Sequence, residues 1–376
     1  MRWLALCCAL AACGRDRNAG VDAPPGDVTV DDAPPDGVPP DGAPPDGVPD
    51  APPPMNRAFV TSGTFTGNLG GLAGADAKCA MAATSAGLTG TFIALLSTST
   101  VDARDRLAGS RGWVRVDGAP IADQTGIFFA GQQFNPLDLD ETGIRIGSTG
   151  DTWTGSLQNG VVASGLTCTD WTVTNGAGGT GYAHYGSPQW NAFSTTGCAN
   201  LYHLYCFETG HTTPVAPSPS TGRYAFLSNP RTGQGLAALD TQCQQEATAH
   251  VLPGTYLAAV ATTTTTIASR FTGTDWRRPD GTPVSTAGHS LFSLDPLSFV
   301  HQTAYGAYFV DPTVFTGASS PTAVGTNAQT CNNWNDLTTG ALTGGGGKPT
   351  LLQNGYFWGN QVIACSQFAG VICLQQ

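Results

Sequence analysis

Two stretches of the chain carry the same hydrophobic rhythm. Leu72, Ala75, Cys79, Ala82, Ala83 and Ala86 recur at three- and four-residue spacing and predict an amphipathic helix stopped by Gly87; Leu236, Leu239, Cys243 and Ala247 predict its counterpart ahead of Pro253. Asp76 and Asp240 fall in the first turns, where a negative charge complements the helix dipole. Each helix is followed by a short apolar run, Phe92-Ile93-Ala94-Leu95-Leu96 or Tyr256-Leu257-Ala258-Ala259-Val260, with the length and composition of a central strand. Trp113-Val114-Arg115-Val116 then alternates into the turn signal Asp117-Gly118, with Pro120 behind it. The second copy, Trp276-Arg277-Arg278-Pro279-Asp280-Gly281-Thr282-Pro283, keeps the turn and puts Pro279 in the strand, which suits a sheet edge.

The rhythm recurs because the sequence does. Gly71-Leu72-Ala73-Gly74-Ala75-Asp76-Ala77-Lys78-Cys79 returns as Gly235-Leu236-Ala237-Ala238-Leu239-Asp240-Thr241-Gln242-Cys243, and each copy closes on a cysteine pair eight apart, Cys198 with Cys206 and Cys365 with Cys373. Residues 57–208 and 223–376 are the two expected domains and 209–222 the linker, in keeping with about 100 to 200 residues per domain.

Eleven cysteines divide into three near the start and four per repeat, Cys79, Cys168, Cys198, Cys206 and Cys243, Cys331, Cys365, Cys373. Even numbers without a Cys-x-x-Cys pair or a histidine at zinc spacing argue for disulfides, although four cysteines allow three connectivities and spacing alone does not choose among them. Disulfides require an oxidising compartment. The amino terminus agrees: residues 1–12 have one positive charge, a short apolar run and small residues before Cys13, the make-up of a signal peptide. Leu10-Ala11-Ala12-Cys13 resembles the bacterial lipobox, and Gly14, where an inner-membrane retention signal would have aspartate, points by the same resemblance to the outer membrane. Lipid on Cys13 anchors without a transmembrane helix, at about 0.8 kcal/mol per buried methylene.

Residues 13–56 are a stalk built on Pro-Pro-Asp-Gly-Val/Ala, too poor in bulky apolar residues to fold. At about 3.1 Å per residue it reaches up to roughly 100 Å. Nine aspartates against Arg15 and Arg17 place most of the net charge of -11 in that tail. The domains carry no basic stripe for nucleic acid or heparin.

Read in order, several motifs form a series: Gly-Leu-Ala-Gly-Ala-Asp-x-x-Cys before a helix, Gly-Leu-Thr-Gly-Thr-Phe at Gly87 to Phe92, Trp-Thr-Gly-Ser at Trp153, Cys-x-x-Trp at Cys168, and the closing cysteine pair. That series resembles the endostatin-like branch of the C-type-lectin-like fold, together with a related domain of bacterial lipoproteins. The match covers 57–208 closely and 223–375 more loosely. The resemblance implies an α+β fold class of two tandem domains, each with one or two helices packed on mainly antiparallel strands and two nested disulfides. By the same resemblance the pairs are Cys79 to Cys206 and Cys168 to Cys198, then Cys243 to Cys373 and Cys331 to Cys365. On the chain-entropy account the outer pairs contribute about 5 kcal/mol each and the inner pairs about 3.5.

Calcium-dependent sugar binding in lectins of this fold needs Glu-Pro-Asn or Gln-Pro-Asp in a long loop, and 154–167 and 316–330 contain neither. Asp138, Asp140 and Glu141 form the densest carboxylate cluster and read as a solvated loop; the second repeat has only Asp295 nearby. The histidines His184, His203, His250, His289 and His301 sit at unrelated places in the two copies, and Gly288-His289-Ser290 lacks the second glycine of a nucleophile elbow. Gly344 to Gly347 reads as a loop, and Lys348-Pro349 after it does not make a phosphate loop. No enzyme, cofactor, metal or nucleic-acid partner is expected, and nothing sets the oligomeric state.

The candidate ligand contacts are aromatics in the Gly/Ser/Asn-rich excursions: Tyr182, Tyr185, Trp190, Tyr356, Phe357 and Trp358. Trp171 and Trp334, beside cysteines, are expected in the core. The resulting expectation is an outer-membrane lipoprotein at the surface of a Gram-negative bacterium, binding a glycan or another protein without catalysis. A structural envelope spacer with no soluble ligand is the alternative.

Overall fold

In each repeat the first and last strands lie side by side at the centre of the sheet. Asn56–Val60 pairs antiparallel with His203–Thr209, Ala58 facing Phe207, and parallel with Trp113–Arg115, which turns through Asp117-Gly118 into Pro120–Ala122. The second repeat builds the same order from Arg223–Leu227, Ile372–Gln375, Trp276–Arg277 and Pro283–Ser285. Its third strand ends at Arg277, so Pro279 falls in the turn and interrupts no ladder. The computed structural model describes residues 54–376 except 148, 149, 218, 294, 295, 337, 339–342 and 354. The signal peptide, Cys13, the stalk up to residue 53 and Asp295 lie outside the described residues. The fold is α+β, with few helices, mostly antiparallel sheets and four disulfides.

The apolar runs after the helices are marginal strands, not central ones. Thr91–Ala94 pairs only with His203–Thr209, and Tyr256–Ala258 only with Ile372–Gln375. They are apolar because a helix covers them. Gly71–Ser85 turns Ala75, Cys79 and Ala83 inward, Leu236–Ala249 turns Leu239, Cys243 and Ala247 inward, and the four-residue spacing makes one stripe. Cys79 bonds Cys206 and Cys243 bonds Cys373, tying each helix to the last strand; Cys168 bonds Cys198 and Cys331 bonds Cys365.

Asp76 and Asp240 lie beyond the first turn of their helices and do more than offset a dipole. Asp76 accepts the Ala94 amide at 2.9 Å and the Arg106 guanidinium at 2.6 Å; Asp240 accepts the Ala258 amide at 2.9 Å and Arg270 at 2.7 Å. The same clamp, made twice, locks helix to strand.

Beyond the central sheet each repeat adds three strands. Asp151–Trp153, Ala177–Tyr182 and Ser194–Gly197 extend the first sheet through parallel pairing of Thr152 with His203. Val314–Phe315, Thr343–Gly347 and Gln361–Ala364 form a separate small sheet, joined to the main one by a Val314 to Gly370 bridge. Gly344 to Gly347 is therefore strand, where the sequence suggested loop. A side chain at Gly347 would come within 2.2 Å of the Phe357 carbonyl, and one at the matching Gly181 within 1.9 Å of the Trp190 carbonyl, so the following segment packs on bare backbone.

Both Cys-x-x-Trp segments form a left-handed turn. Cys168, Thr169, Asp170 and Trp171 have φ of 49°, 52°, 53° and 65°, and Cys331, Asn332, Asn333 and Trp334 have 49°, 55°, 51° and 71°. The turn drives a tryptophan into the core, where Trp171 Nε1 donates to the Ser97 carbonyl at 2.7 Å and Trp334 Nε1 to the Ala261 carbonyl at 2.9 Å.

The two repeats belong to one compact unit. Trp153 faces Thr180 and the equivalent Phe315 faces Gly346; five residues past these partners, Tyr185 and Leu351 form one antiparallel bridge. Gly186 donates to the Thr350 carbonyl at 2.7 Å, and Leu352 to the His184 carbonyl at 3.3 Å. Equivalent residues thus meet each other, the signature of an isologous, pseudo-two-fold contact. Residues 209–222 are laid against both repeats: Val215 donates to Asp123 at 2.9 Å and Ser220 to the Gly281 carbonyl at 3.1 Å. Among the described residues no helix is long and apolar enough to cross a membrane.

Candidate functional site

The aromatics singled out in the sequence turn inward. Trp190, Phe357 and Trp358 are core residues, and Trp358 Nε1 donates to the Leu291 carbonyl at 2.6 Å. Trp190 stacks near Phe128, with ring centroids 4.1 Å apart. Tyr182 and Tyr185 are buried and, with Leu351 and the half-buried Tyr356, make a small cluster at the seam between the repeats. Tyr182 and Tyr185 lie 4.4 Å apart, and Tyr185 meets Tyr356 edge-on at 6.5 Å. These rings face the other repeat and the core, not solvent. The physical reason is the seam itself, whose apolar half comes from residues more than 160 positions away.

The carboxylate cluster is not a solvated loop either. Asp138 is fully buried between Arg115, 3.0 Å from Oδ1, and Arg145, 2.7 Å from Oδ2, with His184 Nδ1 at 3.6 Å. Burial alone would raise its carboxyl, but the hydrogen bond from His184 and the charges of Arg145 and Arg115 outweigh that and lower it. Asp140 closes its own turn, accepting from the Thr142 and Ile144 amides at 2.8 and 3.0 Å, and Glu141 accepts the Ser62 amide at 2.8 Å. Arg145 also donates to the Pro296 carbonyl of the other repeat at 3.3 Å. The charges are therefore used to join loops and repeats. Among the described residues no group of three or more His, Cys, Asp or Glu is placed to hold a metal ion.

The second repeat has a related polar centre. Arg278, fully buried, bonds Asp280 at 2.7 Å and Thr282 Oγ1 at 2.8 Å, and Tyr308 donates its hydroxyl to Asp280 at 2.7 Å. Burial would raise the Asp280 carboxyl; the Arg278 charge and hydrogen bonds, aided by the Thr282 amide and Tyr308, bring it down to about 2. His301 is buried 3.5 Å from Arg278 Nη1, and both burial and the arginine charge hold it well below the ordinary histidine value, so it is neutral.

Two surface features went unnoticed in the sequence. One is a mainly apolar groove of about 180 Å³ edged by Leu227, Pro230, Phe309, Pro312 and Phe368; Phe368 is 89% exposed. The other is a shallower polar groove of about 380 Å³ beside Tyr305 and His250, floored by Gln302 and Asp280. The exchange of Glu141-Thr142 for Ala304-Tyr305 between the repeats was the available signal for the second. No protein-family model matches the chain, and no curated protein is similar enough to count as a relative.

Proposed function

We propose that the chain is a non-enzymatic recognition module of the bacterial cell surface: two endostatin-like domains of the C-type-lectin-like fold, carried on the stalk 13–56 and held to the outer membrane through lipid on Cys13. Support for that fold comes from the paired first and last strands and from the outer and inner disulfides in both repeats. The observation that carries the functional reading is an inversion of the usual layout. Carboxylates and histidines that might do chemistry are buried in ion pairs, while bulky apolar side chains such as Phe368 and Val310 stand outside. Exposed apolar groups clustered at a groove are the mark of a contact surface. Binding needs no calcium on this reading.

The test is a glycan array together with a pull-down, using the full-length chain and its Phe368→Ser variant. A reproducible ligand lost in the variant supports recognition. Silence in both assays favours the spacer, which the isologous seam and the adherent linker also suit, since they make the two repeats one body.

A further inference from the structure

We propose that the groove beside Tyr305 is a binding subsite for a neutral saccharide; the inference rests on the recognition reading and names its ligand class. Tyr305 stands on the turn Thr303 to Gly306, where the Gly306 amide donates to the Thr303 carbonyl at 3.0 Å, and is 54% exposed. The His250 ring lies 5.3 Å from it, so two rings form one wall. The floor is polar and fixed: Gln302 accepts the Asp280 amide at 2.8 Å and donates to the Gly306 carbonyl at 3.0 Å, and Arg278 and Tyr308 hold Asp280 in place. Pyranose rings present an apolar C–H face and a hydroxyl rim. An open wall of aromatic rings beside preset amide, carboxylate and carbonyl groups matches both, and nothing in the groove must be reordered on binding.

The site belongs to one repeat only. Val60 bridges Asp140 as Leu227 bridges Thr303, which makes Tyr305 the counterpart of Thr142, and Gln302 that of Leu139. The first repeat therefore has neither the ring nor the amide. The Asp280 carboxylate at the floor disfavours uronic and sialic acids, so the ligand is uncharged.

Saturation-transfer NMR on the full-length chain, with the methyl glycosides of glucose, galactose, mannose and N-acetylglucosamine and with glucuronate, tests this. At least one neutral glycoside should receive saturation. Its affinity should fall at least ten-fold in Tyr305→Ala, persist in Tyr305→Phe, and be unaffected by Phe368→Ser. No transfer to any neutral glycoside, equal binding of glucuronate, or binding indifferent to Tyr305→Ala overturns the subsite. Loss on Phe368→Ser alone would move binding to the apolar groove, overturning the subsite while leaving recognition intact.

Discussion

Asp138 and His301 occupy the same place in the two repeats, each facing the equivalent arginine, Arg115 or Arg278. One is a carboxylate and the other a neutral imidazole. The first repeat balances its buried guanidinium with Asp138 and Asp117; the second relies on Asp280 alone and fills the remaining space with an uncharged ring. A histidine kept neutral by its surroundings links stability to pH. Unfolded, His301 takes a proton near the ordinary value of 6.5; folded, it refuses one until well below that. Its contribution is complete above that value and is lost as pH falls beneath it, by up to about 1.4 kcal/mol per unit. Denaturant unfolding at pH 7.5 and 5.5 should show the wild type losing more stability than His301→Gln over that interval.

Asp138 is the more severe position. Asp138→Asn leaves Arg115 and Arg145 in a buried site with one fewer negative charge, and breaking a buried ion pair from one side costs about 3 to 5 kcal/mol. Arg145 also reaches the second repeat, so the loss should loosen the seam as well. The expected result is a lower denaturation midpoint with intact disulfides, checked by urea titration under non-reducing conditions. A midpoint unchanged within error would mean that Asp138 does not hold the two arginines.

The seam predicts cooperativity. Tyr185 packs on Tyr182, Phe193 and Tyr356, and Leu351 lies opposite on the pseudo-two-fold. Truncating either buried side chain costs about 2 to 4 kcal/mol. Calorimetry should record one transition for the wild-type unit and two for Tyr185→Ser combined with Leu351→Ser, because each repeat keeps its own core and its own disulfides. A single transition at the wild-type midpoint in the double variant would show that these residues do not couple the repeats.

What the sequence made legible follows from how far each interaction reaches along the chain. The helix faces were plain, because Ala75, Cys79 and Ala83 lie within three turns of one another. The clamp from Asp76 to Arg106 was hidden in one copy, yet the same 30-residue step recurs from Asp240 to Arg270, and comparing the repeats for spacing of opposite charges would have exposed it. Tyr182 and Tyr185 were misjudged as open because they sit in a glycine-rich excursion, whose exposure depends on a surface folded from residues near 351. No local pattern encodes that partner. Likewise three carboxylates within four positions look solvated until Arg115 and Arg145 are brought in from separate loops.

The left-handed turn gives the sharpest prediction, because the two repeats solve one backbone problem with different residues. Positive φ crowds Cβ against the following carbonyl, by roughly 1 to 2 kcal/mol per residue, and asparagine tolerates it better than a β-branched side chain. The second repeat has Asn332 and Asn333 there; the first has Thr169 at φ 52° and Asp170 at φ 53°. Asp170 is needed, since it accepts the Ser99 amide at 2.7 Å and the Ser99 hydroxyl at 2.6 Å. Thr169 is exposed and holds the turn only through its backbone, its carbonyl accepting the Thr172 hydroxyl at 2.6 Å. Thr169→Asn should therefore stabilise the first repeat by about 0.5 to 1 kcal/mol, while Asn332→Thr should destabilise the second by a similar amount. Denaturation midpoints of the two variants, moving in opposite directions, would establish that the turn is strained and that residue choice relieves it; a shift of the same sign in both would refute the account.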